Sequence, residues 1–162
     1  MAIHKLDIGD FDEIDYYLIA IRTSLENYRL AYFINNRLPI NLSMSKDEVQ
    51  VHSNGSCTQF SRFYFHDEEN DVDWNLIQNT NEVFQQKSET AFDLFSDSLI
   101  EVATKVYLLP EFKKVDYFLK IENLDDTIDV EKIKQTLNTI EEVETAYAVE
   151  MNQIKSKNNL IF

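Results

Sequence analysis

The sequence is poor in the residues that interrupt or cross-link a chain. Gly9 and Gly55 are its only glycines, and Pro39 and Pro110 its only prolines. With so few breakers and no Gly/Ser-rich or Pro-rich stretch, no linker is expected. The 162 residues are read as one globular domain, 1–162. Cys57 is the single cysteine, which excludes an intramolecular disulfide and a cysteine-rich metal site. No apolar run approaches the ~20 residues of a membrane span. The opening "MAIHKLDIGDFDE" carries acids where a signal peptide carries bases, so a cytoplasmic location is expected. Basic residues are scarce too: 15 Lys and Arg against 29 Asp and Glu leave a formal net charge of −14. Such a field repels phosphate backbones and anionic bilayers, so neither nucleic acid nor a membrane is an expected partner.

Apolar residues, at 44 %, are plentiful enough for a core that needs no cross-link. "DYYLIAI" (15–21) is apolar on both faces, as a central strand is. The helix that follows is predicted from Leu30, Phe33, Ile34 and Leu38 at helical spacing, with Pro39 as its stop. Thr23 and Glu26 have capping-box spacing at its start. "INLSMS" reads as a strand, and Asn54-Gly55 as a two-residue turn, because both residues tolerate positive φ. "FSRFYFHDEENDVDWNLIQN" reads as two strands around an acidic turn. "QQKSETAFDLFSDSL" fits either a loop or a short helix.

The stretch "LPEFKKVDYFLKI" (109–121) reads as the turn and return of a hairpin. "TKVYLL" enters as a strand, Pro110 ends it, "EFKK" turns the chain, and "VDYFLKI" comes back. Alternation puts Val115, Tyr117, Leu119 and Ile121 on one face, with Asp116, Phe118 and Lys120 on the other. Asp129 is a plausible N-cap for a helix carrying Val130, Ile133, Leu137 and Ile140. Val143, Thr145, Tyr147 and Val149 then alternate in a last strand. Two strand–helix–strand units and meander strands predict an α+β fold. Its form is a single mixed, mostly antiparallel β-sheet with two main helices packed on one face, containing βαβ-like units.

The residues Pro110, Glu111, Val115, Asp116 and Tyr117 closely match the pattern of a small bacterial family, the IPExxxVDY proteins, with Leu109 in place of its isoleucine. The similarity extends to "HKLDI", "LIAIRTSLENYRLAYFINNRL", "WNLI" and "VETAYAVEMNQIKSKNNLIF". It is weakest around residues 45–60 and 80–100. The resemblance implies single-domain cytoplasmic proteins of unknown function, with no activity or ligand to carry across.

Little in the chain has the form of a reaction centre. Asp67, Glu69, Asp71 and Asp73 alternate like the start of a calcium loop. Val72 then stands where that loop needs glycine, and Gln78 where it needs glutamate, so a solvated turn is expected. His4, His52 and His66 lack partners at metal-ligand spacing, and His66 reads as a lone surface histidine whose pKa the acidic turn can raise. Asp10, Asp12, Glu13 and Asp15 form a carboxylate cluster that nothing nearby completes. Asp116 is the most informative polar residue, with Lys113, Lys114 or turn amides as its donors. Asp116, Glu111, Lys113 and Lys114 are the candidate binding residues, although the turn reads first as structural. No catalytic residue, metal or cofactor is expected.

Three functions remain open. The favoured one is a non-enzymatic binding or scaffold module that holds a protein partner through an aromatic surface or a sheet edge. A small-molecule-binding regulatory domain is the alternative, by fold analogy alone. The third is an enzyme built on Asp10, Asp12, Asp15 and Asp116.

Overall fold

The structure is a computed structural model that describes residues 16–53, 55–87, 100–124 and 128–162, without the side chains of 85–87 and 100–101. The carboxylate cluster at 10–15, His4 and residues 88–99 lie outside the described residues.

The strands are β1 (Tyr16–Thr23), β2 (Ser43–Met44), β3 (Val49–Ser53), β4 (Ser56–Phe60), β5 (Arg62–Asp67), β6 (Val72–Gln78), β7 (Thr80–Lys87), β8 (Ile100–Tyr107), β9 (Tyr117–Glu122) and β10 (Val143–Ala148). The helices are α1 (Asn27–Arg37) and α2 (Val130–Leu137), and short 3₁₀ turns cover Pro110–Phe112, Met151–Gln153 and Lys157–Leu160. Six strands form the main sheet in the order β10-β1-β9-β6-β5-β2, and β3–β4 and β7–β8 form separate two-stranded ribbons. The fold is α+β. Every neighbouring pair in the main sheet is antiparallel. Its parallel relations are indirect: β9 and β10 both pair with β1, so β9–α2–β10 is a split βαβ unit with β1 between its strands.

Both helices lie on one face. Leu30 and Ile34 of α1 and Ile133 and Leu137 of α2 pack with Ile19, Leu76, Leu119 and Ile121 of the sheet. The opposite face is apolar over half its length, where Leu18, Ala20, Ile77 and Phe118 meet Val49, Val51 and Phe60 of the β3–β4 ribbon. Leu108, Leu109, Val115, Ile154 and Leu160 complete that second core. Between the ribbon's strands Ser53 pairs with Ser56, and Gly55 takes φ 77°, the left-handed region that glycine enters without a Cβ clash; Asn54 of the predicted turn lies outside the described residues.

Four local expectations are corrected. "LPEFKKVDYFLKI" does not return as a hairpin, because β8 pairs with β7 while β9 enters the main sheet between β1 and β6. Val115 lies before β9 and packs into the second core, on the side away from Tyr117. No Thr23–Glu26 capping box forms: Glu26 itself is the N-cap and makes no side-chain cap bond. The Thr23 hydroxyl instead donates to the Glu142 carbonyl and accepts from Leu25 N–H. In β10 the simple alternation fails, because the register shifts at Arg22/Thr23 and Val143 and Ala146 are the residues that reach the helix-side core. The Asp129 cap stands, accepting from the Glu131 and Lys132 amides.

Asparagine side chains stand in for missing strand partners. Asn35 donates to the Leu42 carbonyl and accepts from its N–H at 3.0 and 2.8 Å, and Asn138 holds Ala146 in the same way at 2.9 and 2.8 Å. β10 is an outer strand, so Asn138 closes its open edge against another chain. Asn79, fully buried, donates to the Phe112 and Val115 carbonyls and accepts from Leu109 N–H. It holds the Pro110 turn shut in place of a hairpin ladder.

Tyr117 supplies a pH-sensitive joint. Its buried hydroxyl donates to the Leu25 carbonyl at 2.8 Å. Burial first, then the charges of Asp116 and Glu26, push its pKa from 10.0 to about 12. The protonated form is the stabilising one, so its contribution is complete below pH 10 and lost as pH rises through about 12. In urea titrations between those values, Tyr117→Phe should start less stable than wild type and lose less as pH climbs. Parallel curves would refute this role.

Candidate functional site

The candidate binding residues at the turn are occupied by their own chain. Asp116 Oδ2 accepts from Thr23 N–H at 2.9 Å, and its backbone N–H donates to the Ile21 carbonyl. Its partner is the end of β1, not Lys113 or Lys114, which lie exposed on the turn. Glu111 reaches across to the last described stretch: Oε1 accepts from the Lys155 and Ser156 amides at 2.7 and 2.8 Å, and Oε2 from the Ser156 hydroxyl at 3.0 Å. Desolvation raises the Glu111 pKa, but these hydrogen bonds outweigh it, and the net shift is downward. The two motif carboxylates are thus staples. One ties β9 to β1, and the other pins residues 155–156.

The staple at Glu111 has a consequence for chemistry elsewhere, because the pinned stretch roofs the polar half of the open sheet face. Register builds that face in rows across β1, β9, β6 and β5. Tyr16, Glu122, Asp73 and His66 are successive partners, and beside them run Leu18, Lys120, Asn75 and Tyr64. The next row, Ala20, Phe118, Ile77 and Arg62, begins the apolar half. One strand face therefore grades from charge to oil within four residues.

Lys120 sits where the two halves meet and is only 3 % exposed. A buried ammonium needs compensation, and it donates to Glu122 Oε1 at 2.6 Å and to the Leu160 carbonyl at 2.7 Å. The rings of Phe162 and Tyr16 lie 4.6 and 4.9 Å from its nitrogen, close enough for cation–π attraction. Arg62 stacks between Tyr64 and Phe162, each ring 4.9 Å away, while its Nε donates to Asn75. Asp73 accepts from the Tyr64 hydroxyl at 2.5 Å and pairs with His66 Nδ1 at 2.9 Å. That pairing raises the His66 pKa, and the Asp73 bond raises that of Tyr64. His66 is therefore not a lone histidine. Burial and then the charge of Glu122 raise Tyr16.

A cavity of about 340 Å³ opens between Tyr16, Asp73, Lys120, Glu122 and the stretch Leu160–Phe162. A shallow groove of about 910 Å³ adjoins it, sharing Tyr16 and Asn123 and running along Tyr17, Val149 and Met151. The arrangement can hold a group that is charged at one point and flat at another. The acidic turn is only partly the solvated turn expected: Asp67 accepts from the Glu69 and Asn70 amides and closes it on itself, but Asp71 stands 3.9 Å from His66 Nε2 and Asp73 belongs to the polar face. Exposed Cys57 and His52 lie on the β3–β4 ribbon.

Sequence reasoning missed this face. The available signal was the polar phase of three strands, Arg62/Tyr64/His66, Asp73/Asn75 and Lys120/Glu122, whose opposite phases are apolar. Only the register shows that the three phases share one side. Glu111→Ala should unpin the roof at a cost of about 1–2 kcal/mol, as amides near the surface lose a charged acceptor. Amide hydrogen exchange of residues 155–162 should quicken while that of β9 stays unchanged. Unchanged exchange at Lys155 and Ser156 would refute the staple.

The fold and site define an antiparallel α+β protein with a charged, aromatic-rimmed half-face. Among the described residues no helix is long and apolar enough to cross a membrane. No family model, curated protein or solved structure matches the chain.

Proposed function

We propose that this chain is a non-enzymatic binding module of the IPExxxVDY type, and that its polar half-face and the Phe162 roof receive a protein partner. The observation that carries the reading is how fully the charged groups are engaged. Lys120, Glu122, Asp73, His66, Tyr64 and Arg62 all bond to or stack on one another. Such a network is a firm, preformed surface; a reaction centre needs a base or nucleophile with an open position. Arginine and aromatic side chains around a partly covered cavity are also the composition that dominates binding energy at protein interfaces. The partner segment this suits carries a charged side chain next to an aromatic or aliphatic one. The resemblance through Pro110, Glu111, Val115, Asp116 and Tyr117 supports a shared scaffold, since those residues hold the fold and the roof.

The test is affinity capture with the tagged chain, comparing wild type, Arg62→Ala, Phe162→Ala and Asp116→Asn. A partner held by wild type and by Asp116→Asn, but lost from the other two, is the expected result. Capture that is equal in all four, or lost only with Asp116→Asn, would overturn the assignment of this face.

A further inference from the structure

On the helix side of the sheet lies a cleft that neither the motif nor the polar half-face reaches. It encloses about 400 Å³ where α1 ends, α2 begins and the β5–β6 turn rises between them. Leu38, Ile40, Ile133 and the indole of Trp74 make its apolar lining. Trp74 is 4 % exposed, and its Nε1–H is buried without a hydrogen-bond acceptor. That N–H has no accessible surface of its own, so Trp74 gives the cleft an apolar wall and not a donor.

The rim is charged in both senses. Arg37 and Lys132 stand on it with Asp67 and Asp129. Both carboxylates are fixed by backbone amides, Asp67 by those of Glu69 and Asn70 and Asp129 by those of Glu131 and Lys132. Arg37 is steadied by a 2.9 Å bond to the Thr139 hydroxyl. Two positive and two negative groups cancel, so the rim has no net pull on a simple anion or cation. It does match a molecule carrying both charges. We propose that this cleft binds a small zwitterion with an apolar tail, of the class of an α-amino acid with an aliphatic side chain. The carboxylate faces Arg37 and Lys132, the ammonium faces Asp67 and Asp129, and the tail lies on Ile40, Ile133 and the Trp74 ring. The cleft falls within the size range of small-ligand sites, about 300–1,000 Å³.

Trp74 is the only tryptophan, so its fluorescence reports this cleft alone. Leucine titrated into the full chain should change that fluorescence saturably, with calorimetry giving the same Kd. 4-Methylpentanoate lacks the ammonium and 3-methylbutylamine lacks the carboxylate. Each should bind about tenfold or more weakly than leucine, the loss expected for one charged contact. Lys132→Ala and Arg37→Ala should weaken leucine to a similar degree while melting with wild type, since both positions are exposed. Absence of saturable binding by both methods up to about 10 mM leucine, well above a millimolar Kd, would overturn the proposal. So would 4-methylpentanoate binding as tightly as leucine, or leucine affinity unchanged in both variants.

Discussion

Asn79→Ala is expected to lower the unfolding free energy by about 2 kcal/mol or more, from one exposed-looking residue type in an otherwise ordinary strand exit. The reason is arithmetic on hydrogen bonds. The substitution strands the Leu109 N–H and the Val115 carbonyl, which the amide now satisfies at 2.9 and 2.8 Å, and takes one of two donors from the Phe112 carbonyl, which keeps the Val115 N–H at 3.1 Å. Each buried group left without a partner costs about 1–3 kcal/mol, and Leu109 and Val115 are at most 1 % exposed. The Asn79 backbone adds two more bonds, accepting from Leu108 N–H and donating to the Asp116 carbonyl, and these survive the substitution. The loss is therefore confined to the side chain. Asn79→Asp separates the parts, because it keeps the acceptor for Leu109 but removes both donors and buries a charge. It should be no milder than alanine. A urea midpoint for Asn79→Ala within error of wild type would show that the Pro110 turn is held by its neighbours and not by this amide.

Leu119→Ala should cost about 2–5 kcal/mol, the range for deleting most of a large side chain from a rigid core. Leu119 is fully buried at the centre of the main sheet, paired with Ile19 on one side and Leu76 on the other, under the helices. Strands on both sides and two helices above leave little freedom to collapse into the cavity, which favours the upper part of that range. Leu119→Met keeps the volume and should cost under about 1.5 kcal/mol. Equal urea midpoints for the alanine and methionine variants would show that this row of the core is loosely packed.

Much of the architecture was legible because its signals are local. Leu30, Ile34, Ile133 and Leu137 mark the buried sides of α1 and α2 through spacing within a few turns, and all four are buried. Asp129 caps α2, Pro39 follows the end of α1, and Gly55 takes the left-handed conformation between paired Ser53 and Ser56, each through the conformational limits of one residue. Tyr117 and Leu119 are buried as their apolar pattern requires, whereas Val149 is buried in the second core and not on a shared face with Val143. The motif at 110–117 was also read as structural first, and Asp116 does act as a staple.

What the sequence determined by itself is that β1, β5, β6 and β9 are strands and α1 and α2 helices; β3, β4 and β7, whose segments are polar, were not legible as strands. The tertiary structure decided who pairs with whom. Alternation in "VDYFLKI" requires some partner, but backbone N–H and C=O groups are chemically alike on every strand edge, so the pattern does not name it. β9 pairs with β1 and β6 rather than β8 because a central place buries both of its faces, and an Asn79 side chain can hold the Pro110 turn without a ladder. The polar half-face depended on the same choice. Tyr16, His66, Asp73, Lys120, Glu122 and Phe162 are dispersed over the chain, and only the register of four strands and the Glu111 staple bring them together. A local pattern acts over a few residues, whereas a register is selected by the burial of the whole sheet at once.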